Sequence, residues 1–354
     1  MNKFKKYVAI ATLLCTTAMP MSSLFAGNDD RVGEAGAQEL LINPWARSSG
    51  WGGVGTACTR GLEAMYTNIA GCAFTQKTEL IFSHTIWLQG SGVGINTFGI
   101  TQRVGETSVI GLGVMSMSFG DIDVTTVDLP EGGLGKFTPN LTNINLSYSK
   151  MFSNSIYGGL NIKVVSEKIA NLSVQGFCFD AGIQYITGEN ENIMFGIALK
   201  NVGPRMKFSG DGLSFRTNMP GGQSGQMTIE NRSAEFEVPT SLNIGGAYDI
   251  RISDAHHLTV AANFTSNSFS KDQFMLGLEY RLMQYLMLRG AYTYETGITG
   301  SAPDRTTWLT GPSGGLTVQV PFNKAKGSSF AVDYSYRATN PFNGIHSIGA
   351  RINL

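Results

Sequence analysis

The sequence predicts an all-β protein, a transmembrane antiparallel β-barrel of about 14 strands with an N-terminal hatch, or plug. Short segments of alternating apolar and polar residues fill the chain from residue 79 onward. Gly is frequent, at 44 of 354 residues, whereas Pro is sparse, at 11. Charged residues make up 15% of the chain, against roughly 25% in soluble domains. These three observations together favour membrane-spanning strands.

The first residues are typical of an export signal that is removed from the mature protein. Lys3, Lys5 and Lys6 give a positive start, and residues 7–18 supply a modestly apolar stretch. Polar residues and a proline interrupt this stretch before it reaches the roughly 20 apolar residues of a membrane-spanning helix. We therefore expect a signal peptide over 1–26, a hatch over 27–78 and the barrel over 79–354.

The rest of the chain contains no other stretch apolar enough to cross a bilayer as a helix, so a membrane protein of this sequence must be built of strands. We expect it in the cell outer membrane, with outer-membrane lipid around the barrel. The net charge is zero and no basic patch stands out, which argues against nucleic acid as a partner.

Barrels and soluble sandwiches both have strands with one apolar and one polar face, so the strand pattern alone does not distinguish them. The lengths of the connections do. Long loops are expected over 120–140, 203–240 and up to residue 308, and short turns between them. Bacterial barrels have short periplasmic turns and longer extracellular loops. This alternation places both ends of the barrel in the periplasm.

The strands are expected to follow one another with little other structure between them. Three residues separate the first strand from the second, and a medium loop is expected between the fifth and the sixth. The predicted strands lie at 79–89, 93–103, 108–119, 141–152, 156–168, 177–187, 193–201, 241–252, 258–266, 274–282, 286–294, 309–320, 328–337 and 345–354.

A barrel of fourteen strands is too wide for its own side chains to fill, so its inner wall must be lined or occupied. Charged residues of both signs fall on the face opposite the apolar rows. They predict either a charged channel or a network of paired charges that holds a plug. Met115 and Met117 could face either the interior or lipid. The charged inward positions are Asp180, Lys200, Asp249, Arg251, Glu279, Arg281, Arg289, Asp333, Arg337 and Arg351.

No residues point to catalysis or to a metal site. Gly311, Ser313 and Gly315 match a hydrolase motif, but no helix follows the serine, as that motif requires. His256 and His257 are neighbours that point in opposite directions on a strand, and they have no further ligands nearby. We expect neither an enzyme nor a cofactor.

Three cysteines remain after the predicted signal, Cys58, Cys72 and Cys178, and an odd number gives no complete disulfide framework. Cys58 and Cys72 lie close in sequence and could pair in an oxidising compartment. The other reading is that all three are free thiols.

The segment before the first strand carries a resemblance. Residues 35–53 read AGAQELLINPWARSSGWGG, and residues 66–71 read YTNIAG. They resemble the PorV/PorQ family, which is related in architecture to FadL-type transporters of hydrophobic compounds. Ile69 stands where the FadL-type hatch signature has proline. The residues on which the resemblance rests are Asn43, Pro44, Ala46, Arg47, Gly50, Gly53, Asn68 and Gly71.

The resemblance is strongest to PorV and implies a part of the type IX secretion system. Such a protein binds the C-terminal signal domain of exported cargo. It carries the cargo from the translocon barrel to an attachment complex with a sortase-like protease. The alternative function is FadL-like diffusion of small hydrophobic compounds. Apolar loop residues could grip cargo or pack inward as a lid: Leu129, Leu134, Phe137, Leu213, Phe215, Met219, Met227 and Phe236.

Overall fold

A computed structural model describes residues 27–219, 225–300, 305–323 and 327–354, so the predicted signal peptide lies outside the described residues. Fourteen antiparallel strands form one closed barrel, as the sequence predicts. The strands are β1 Thr78–Trp87, β2 Val93–Val104, β3 Ser108–Ser118, β4 Asn140–Met151, β5 Ile156–Ile169, β6 Leu172–Thr187, β7 Ile193–Val202, β8 Ser241–Ser253, β9 His256–Asn267, β10 Gln273–Leu282, β11 Leu286–Glu295, β12 Leu309–Asn323, β13 Ser328–Thr339 and β14 Ile345–Asn353.

The barrel closes because the last strand pairs with the first. Leu80 on β1 lies opposite Ile352 on β14, and the register continues to Ile86 opposite His346. Every other strand pairs with its neighbours in chain order. No strand edge of the barrel is therefore left unpaired, as a β-structure in a bilayer requires.

The two ends of the barrel differ in the length of their connections. At one end, called the turn end, the strands are joined by short turns such as 105–107 and 254–255. The other end, called the loop end, carries the long connections 119–139, 203–240 and 296–308. Short two-stranded hairpins form within the first two of these loops. Bacterial barrels have their short turns in the periplasm, so we expect the turn end to be periplasmic and the loop end extracellular.

The outer wall of the barrel is apolar and exposed. On β10, for example, Phe274, Leu276 and Leu278 are 39–58% exposed, whereas Glu279 next to them is buried. A continuous apolar surface of this kind is unfavourable in water and is typical of a lipid-facing wall. Among the described residues, no helix is both long and apolar enough to cross a bilayer.

The predicted medium loop between the fifth and sixth strands is wrong. Strand β6 begins at Leu172, not at residue 177, and only residues 170–171 separate it from β5. Ser173 and Gln175 on its outward face are polar and exposed, while Val174 points inward and is buried. This part of the hairpin has no apolar outward face, so its sequence resembles a loop although it forms a strand.

Residues 27–77, called the N-terminal segment, pack against inward-facing residues of the strands. The segment has two short α-helices, α1 Ala46–Ser49 and α2 Ala64–Thr67. It also has three 3-10 helices, Asp29–Arg31, Gln38–Leu41 and Ile69–Phe74. Its contacts with the barrel are described below. The predicted division into a hatch and a barrel as domains stays a prediction.

Candidate functional site

The N-terminal segment runs through the barrel from the loop end to the turn end. Near its start, the Arg31 guanidinium lies 4.2 Å from the ring centroid of Phe269 and 3.4 Å from the Glu237 carboxylate, both in loop-end connections. Near its end, Thr75 donates a hydrogen bond to Thr101 on β2, at 3.0 Å. The segment therefore occupies the interior along the barrel axis.

The first part of the predicted hatch motif forms a tight turn before α1. Asn43 accepts hydrogen bonds from the Trp45 backbone N–H at 3.1 Å and from the Ser48 hydroxyl at 3.2 Å, so its side chain stabilises the helix start. Pro44 lies between Asn43 and Trp45. The side chains of Trp45 and Ser48 are buried. This turn fixes the direction in which α1 enters the barrel.

Small residues of the motif allow close contact with the wall. A Cβ atom added to Gly50 would lie only 2.8 Å from the Cα of Gly315 on β12, so no larger residue fits there. Ala46 packs similarly against Gly349 on β14. Gly53 has a positive φ of 86°, which favours glycine. Gly50 is thus required by close packing and Gly53 by its backbone conformation.

Asn68 joins the N-terminal segment to two strands. Its amide donates hydrogen bonds to the Thr56 carbonyl at 2.9 Å and to the Ile183 carbonyl on β6 at 3.0 Å. Its Oδ1 accepts from the Ala70 N–H at 3.2 Å and caps the 3-10 helix that follows. Gly71 sits against the Thr59 carbonyl, at a place where a Cβ would come within 2.1 Å. Asn68 holds this turn without the proline of the FadL-type signature.

Six of the ten predicted inward charges form ion pairs among the described residues, as the predicted network requires, whereas Lys200, Arg251, Arg281 and Arg337 do not. Arg289 donates to Glu279 at 2.5 Å, and Arg47 of the N-terminal segment lies 3.5 Å from the same carboxylate. Lys163 and Asp180 pair at 2.7 Å. The sequence reasoning missed Lys163, although its position two residues after Asn161 on β5 puts it on the inner face. The network of paired charges on the inner wall therefore includes Arg47 of the N-terminal segment.

A cavity of about 500 Å³ lies at the loop end, between the N-terminal segment and the loops. Trp87 and Trp308 meet edge to face in its wall, with ring centroids 5.7 Å apart. Ile42, Phe269 and Met275 extend the apolar lining. The volume is within the range of small-molecule sites, which is about 300–1,000 Å³. We call this space the loop-end cavity.

Met115 and Met117 face the interior. Both are buried, and they pack with Trp87, Ile95 and Ile345 in an apolar cluster beside the loop-end cavity. The sequence left their direction open, and the structure decides it.

Two cations line the same cavity without a carboxylate partner. The Lys200 ammonium lies 3.7 Å from the ring centroid of Tyr66, whose hydroxyl donates a hydrogen bond to the Leu41 carbonyl. Arg337 lies nearby in the lining. Among the described residues, neither cation forms an ion pair with an acid. Glu295 also lines the cavity, but it accepts a hydrogen bond from Gln273. The lining of the cavity is thus mainly apolar, and Lys200 and Arg337 form its cationic part.

A second cavity, of about 280 Å³, opens at the turn end, and we call it the turn-end pocket. Its lining includes Arg60 and Cys58 of the N-terminal segment and Arg251, His257 and Arg281 of the wall. The two cavities share no lining residue. The N-terminal segment contributes residues to both and therefore separates them.

The loop residues chosen from the sequence fall into two groups. Leu129, Leu134, Phe215 and Met219 are 39–53% exposed. The side chains of Phe137, Leu213, Met227 and Phe236 are half-buried. Phe236 packs toward the N-terminal segment, since its ring lies where a Cβ on Gly36 would be. Phe236 thus packs inward, and the first four leave an apolar surface on the loops.

The cysteines are unpaired in the part of the chain that the structure describes. Cys72 and Cys178 are buried, and Cys58 is half-buried. Burial raises the pKa of Cys58 and of Cys72 well above the ordinary thiol value, so both stay protonated at neutral pH.

No protein-family model and no curated protein matches this chain in sequence. The toluene transporter TodX of Pseudomonas putida matches it in structure, with a TM-score of 0.55 and 12% identity over 88% of this chain and 97% of that chain. The CymD monoaromatic hydrocarbon channel gives 0.49 and 14%, over 88% and 97%. A Pseudomonas aeruginosa FadL homologue gives 0.48 and 13%, over 88% and 96%.

At 12% identity the likeness to TodX concerns the fold alone. The assignment to PorV stays a prediction. The expected closed barrel of fourteen strands is confirmed, and in fold it is similar to the barrel of TodX.

Proposed function

We propose that the protein is an outer-membrane barrel that takes up small hydrophobic compounds through the loop-end cavity. The cavity carries this proposal. It is large enough for a small organic molecule, and its lining includes Trp87, Trp308 and Phe269. The hydrocarbon transport named for TodX supports the same function.

The N-terminal segment would act as the hatch of this transporter. It lies between the loop-end cavity and the turn-end pocket, so a compound that crosses the barrel must pass it. Contacts such as Gly50 on Gly315 hold the segment against the wall. In this proposal, transport requires the segment to shift or the compound to leave sideways.

Lys200 and Arg337 favour compounds with an anionic end over pure hydrocarbons. A buried charge without a partner is unfavourable, and a bound carboxylate would compensate it. Tyr66 lies under Lys200 and stays protonated, because burial raises the pKa of its hydroxyl. We expect medium-chain fatty acids to bind more tightly than alkanes of the same length.

Binding can be tested with brominated dodecanoate, which quenches tryptophan fluorescence on contact. The protein in lipid nanodiscs should show saturable quenching from Trp87 and Trp308. Thr265→Phe places a ring in the cavity and should abolish the saturable part. Ser266→Phe is the matched control, because Ser266 is the next residue on β9 and points to the other face. Equal quenching in both variants would contradict the proposal.

A second candidate is the type IX secretion role, favoured by the exposed loop residues Leu129, Leu134, Phe215 and Met219. An apolar surface at the loop end fits a cargo signal domain as partner, with the translocon barrel and the sortase-like protease as further partners. Deletion of the gene should then leave cargo in the periplasm. Phe215→Ser should weaken cargo display, whereas Thr265→Phe should not. Normal display after deletion would exclude this role.

A further inference from the structure

The turn-end pocket contains a row of basic residues set by strand register. Arg251 on β8 lies opposite His257 on β9, and His257 lies opposite Arg281 on β10. All three face the interior and line the pocket. Side chains at such directly paired positions are close neighbours, with Cβ atoms about 4.5–5.5 Å apart. Arg60 of the N-terminal segment lines the same pocket from the opposite side.

The acids near this row are already engaged. Asp249 accepts a hydrogen bond from the Thr259 hydroxyl at 2.9 Å and lies 3.2 Å from the His257 ring. Glu279 accepts from Arg289, as described above. Asp249 and Glu279 both lie opposite Thr259, in the row of inward-facing residues two positions further into the barrel. Arg60 and Arg251 are exposed and Arg281 is half-buried, so an anion in solution can reach all three.

Glu63 and Glu191 are the other carboxylates of the pocket. Glu63 is buried, and burial together with the nearby Asp333 raises its pKa, which weakens its negative charge near neutral pH. Glu191 is exposed in the turn 188–192. Within the described ranges, Arg60, Arg251 and Arg281 form no ion pair with any carboxylate.

We propose that the turn-end pocket is a binding site for a small oxyanion, a phosphate or carboxylate group, presented from the periplasmic side. Guanidinium groups bind such oxygens through two parallel hydrogen bonds. Arg60 lies over the Phe74 ring at 4.5 Å, and this contact holds its guanidinium in place. This site is independent of the loop-end cavity.

Calorimetric titration of the full chain in zwitterionic nanodiscs tests the site. The two probes are inorganic phosphate and citrate, added separately at low salt. We expect saturable binding of at least one, and the tighter probe identifies the group that the pocket prefers. Arg251→Gln and Arg281→Gln should each weaken it about tenfold, since a charged hydrogen bond contributes roughly 1.5 kcal/mol or more. Binding should also weaken as salt is added.

One control and one further pocket variant keep the result interpretable. Arg216→Gln changes the same charge on an exposed loop at the other end and should leave binding unchanged. Arg60→Gln lies outside the barrel strands, so it tests the pocket without altering strand pairing. The proposal is overturned if neither probe binds, or if binding is the same in the wild type and in all three pocket variants.

Discussion

Replacing Glu279 by Gln tests whether the charge network fixes the N-terminal segment in the barrel. Glu279 receives Arg289 at 2.5 Å and Arg47 at 3.5 Å, and its own side chain is only 10% exposed. Gln keeps the shape but removes the charge. Arg289, whose side chain is fully buried, would then lose its nearest counter-charge.

Removing one partner of a buried ion pair costs about 3–5 kcal/mol. Part of this is compensated, because Arg289 also donates a hydrogen bond to Thr317 at 2.7 Å, and Thr317 donates in turn to Asp333. We therefore expect a loss near the lower limit, about 3 kcal/mol of unfolding free energy, or roughly a hundredfold in the folding equilibrium.

The assay is equilibrium unfolding from lipid vesicles in guanidinium chloride, followed by tryptophan fluorescence. Trp45 and Trp51 lie in the N-terminal segment, so its release should be visible before the barrel unfolds. Glu189→Gln, in the exposed turn 188–192, is the matched control and should change stability by no more than about 0.5 kcal/mol. A change below about 1 kcal/mol for Glu279→Gln would refute the reasoning.

Three further changes address the contacts of the N-terminal segment. Asn68→Ala removes four hydrogen bonds, including one of 3.4 Å to the Ile197 carbonyl on β7, and should cost about 2–4 kcal/mol in the same unfolding assay. A loss under about 1 kcal/mol would mean that water replaces them. Gly196→Ala should cost about 1–3 kcal/mol, because its Cβ would come within 2.2 Å of the Thr56 carbonyl. Gly246→Ala, on the outer face with its nearest neighbour at 3.9 Å, should be nearly neutral; equal losses would argue against the clash. Burial and a neighbouring carboxylate raise the pKa of Glu39 from 4.5 to about 7, so the folded state holds a proton that the unfolded state releases. Stability should then fall by about 3 kcal/mol as pH rises from 4.5 to 7, and Glu39→Gln should remove this fall in unfolding curves recorded across that range; an unchanged pH profile would contradict it.

The strands could be predicted from the sequence because the bilayer imposes a simple pattern on them. Within the lipid layer the outer face must be apolar, as Phe274, Leu276 and Leu278 show, and β10 was placed within one residue. Beyond the lipid the outer face meets water, and the pattern disappears. Ser173 and Gln175 lie in that region, which is why the start of β6 was predicted too late.

The candidate site was harder to predict, because it depends on contacts between distant parts of the chain. The alternation of apolar and polar residues predicted that Arg251 and Arg281 face inward, but it did not predict the register that aligns them with His257. No sequence pattern predicts that Trp308, in a loop, meets Trp87 in the wall of a cavity. Asn68 and Gly71 were noted through resemblance, whereas their hydrogen bonds and close contacts depend on the folded segment.

The path of the N-terminal segment constrains the order in which this protein can assemble. The segment starts near the loop end, and β1 starts at the turn end, so this stretch of chain lies along the axis before the first strand begins. Trp45 and Leu62 pack against Ile81 on β1, which pairs with β14 at the seam. We therefore expect the seam to close around a segment that is already in place.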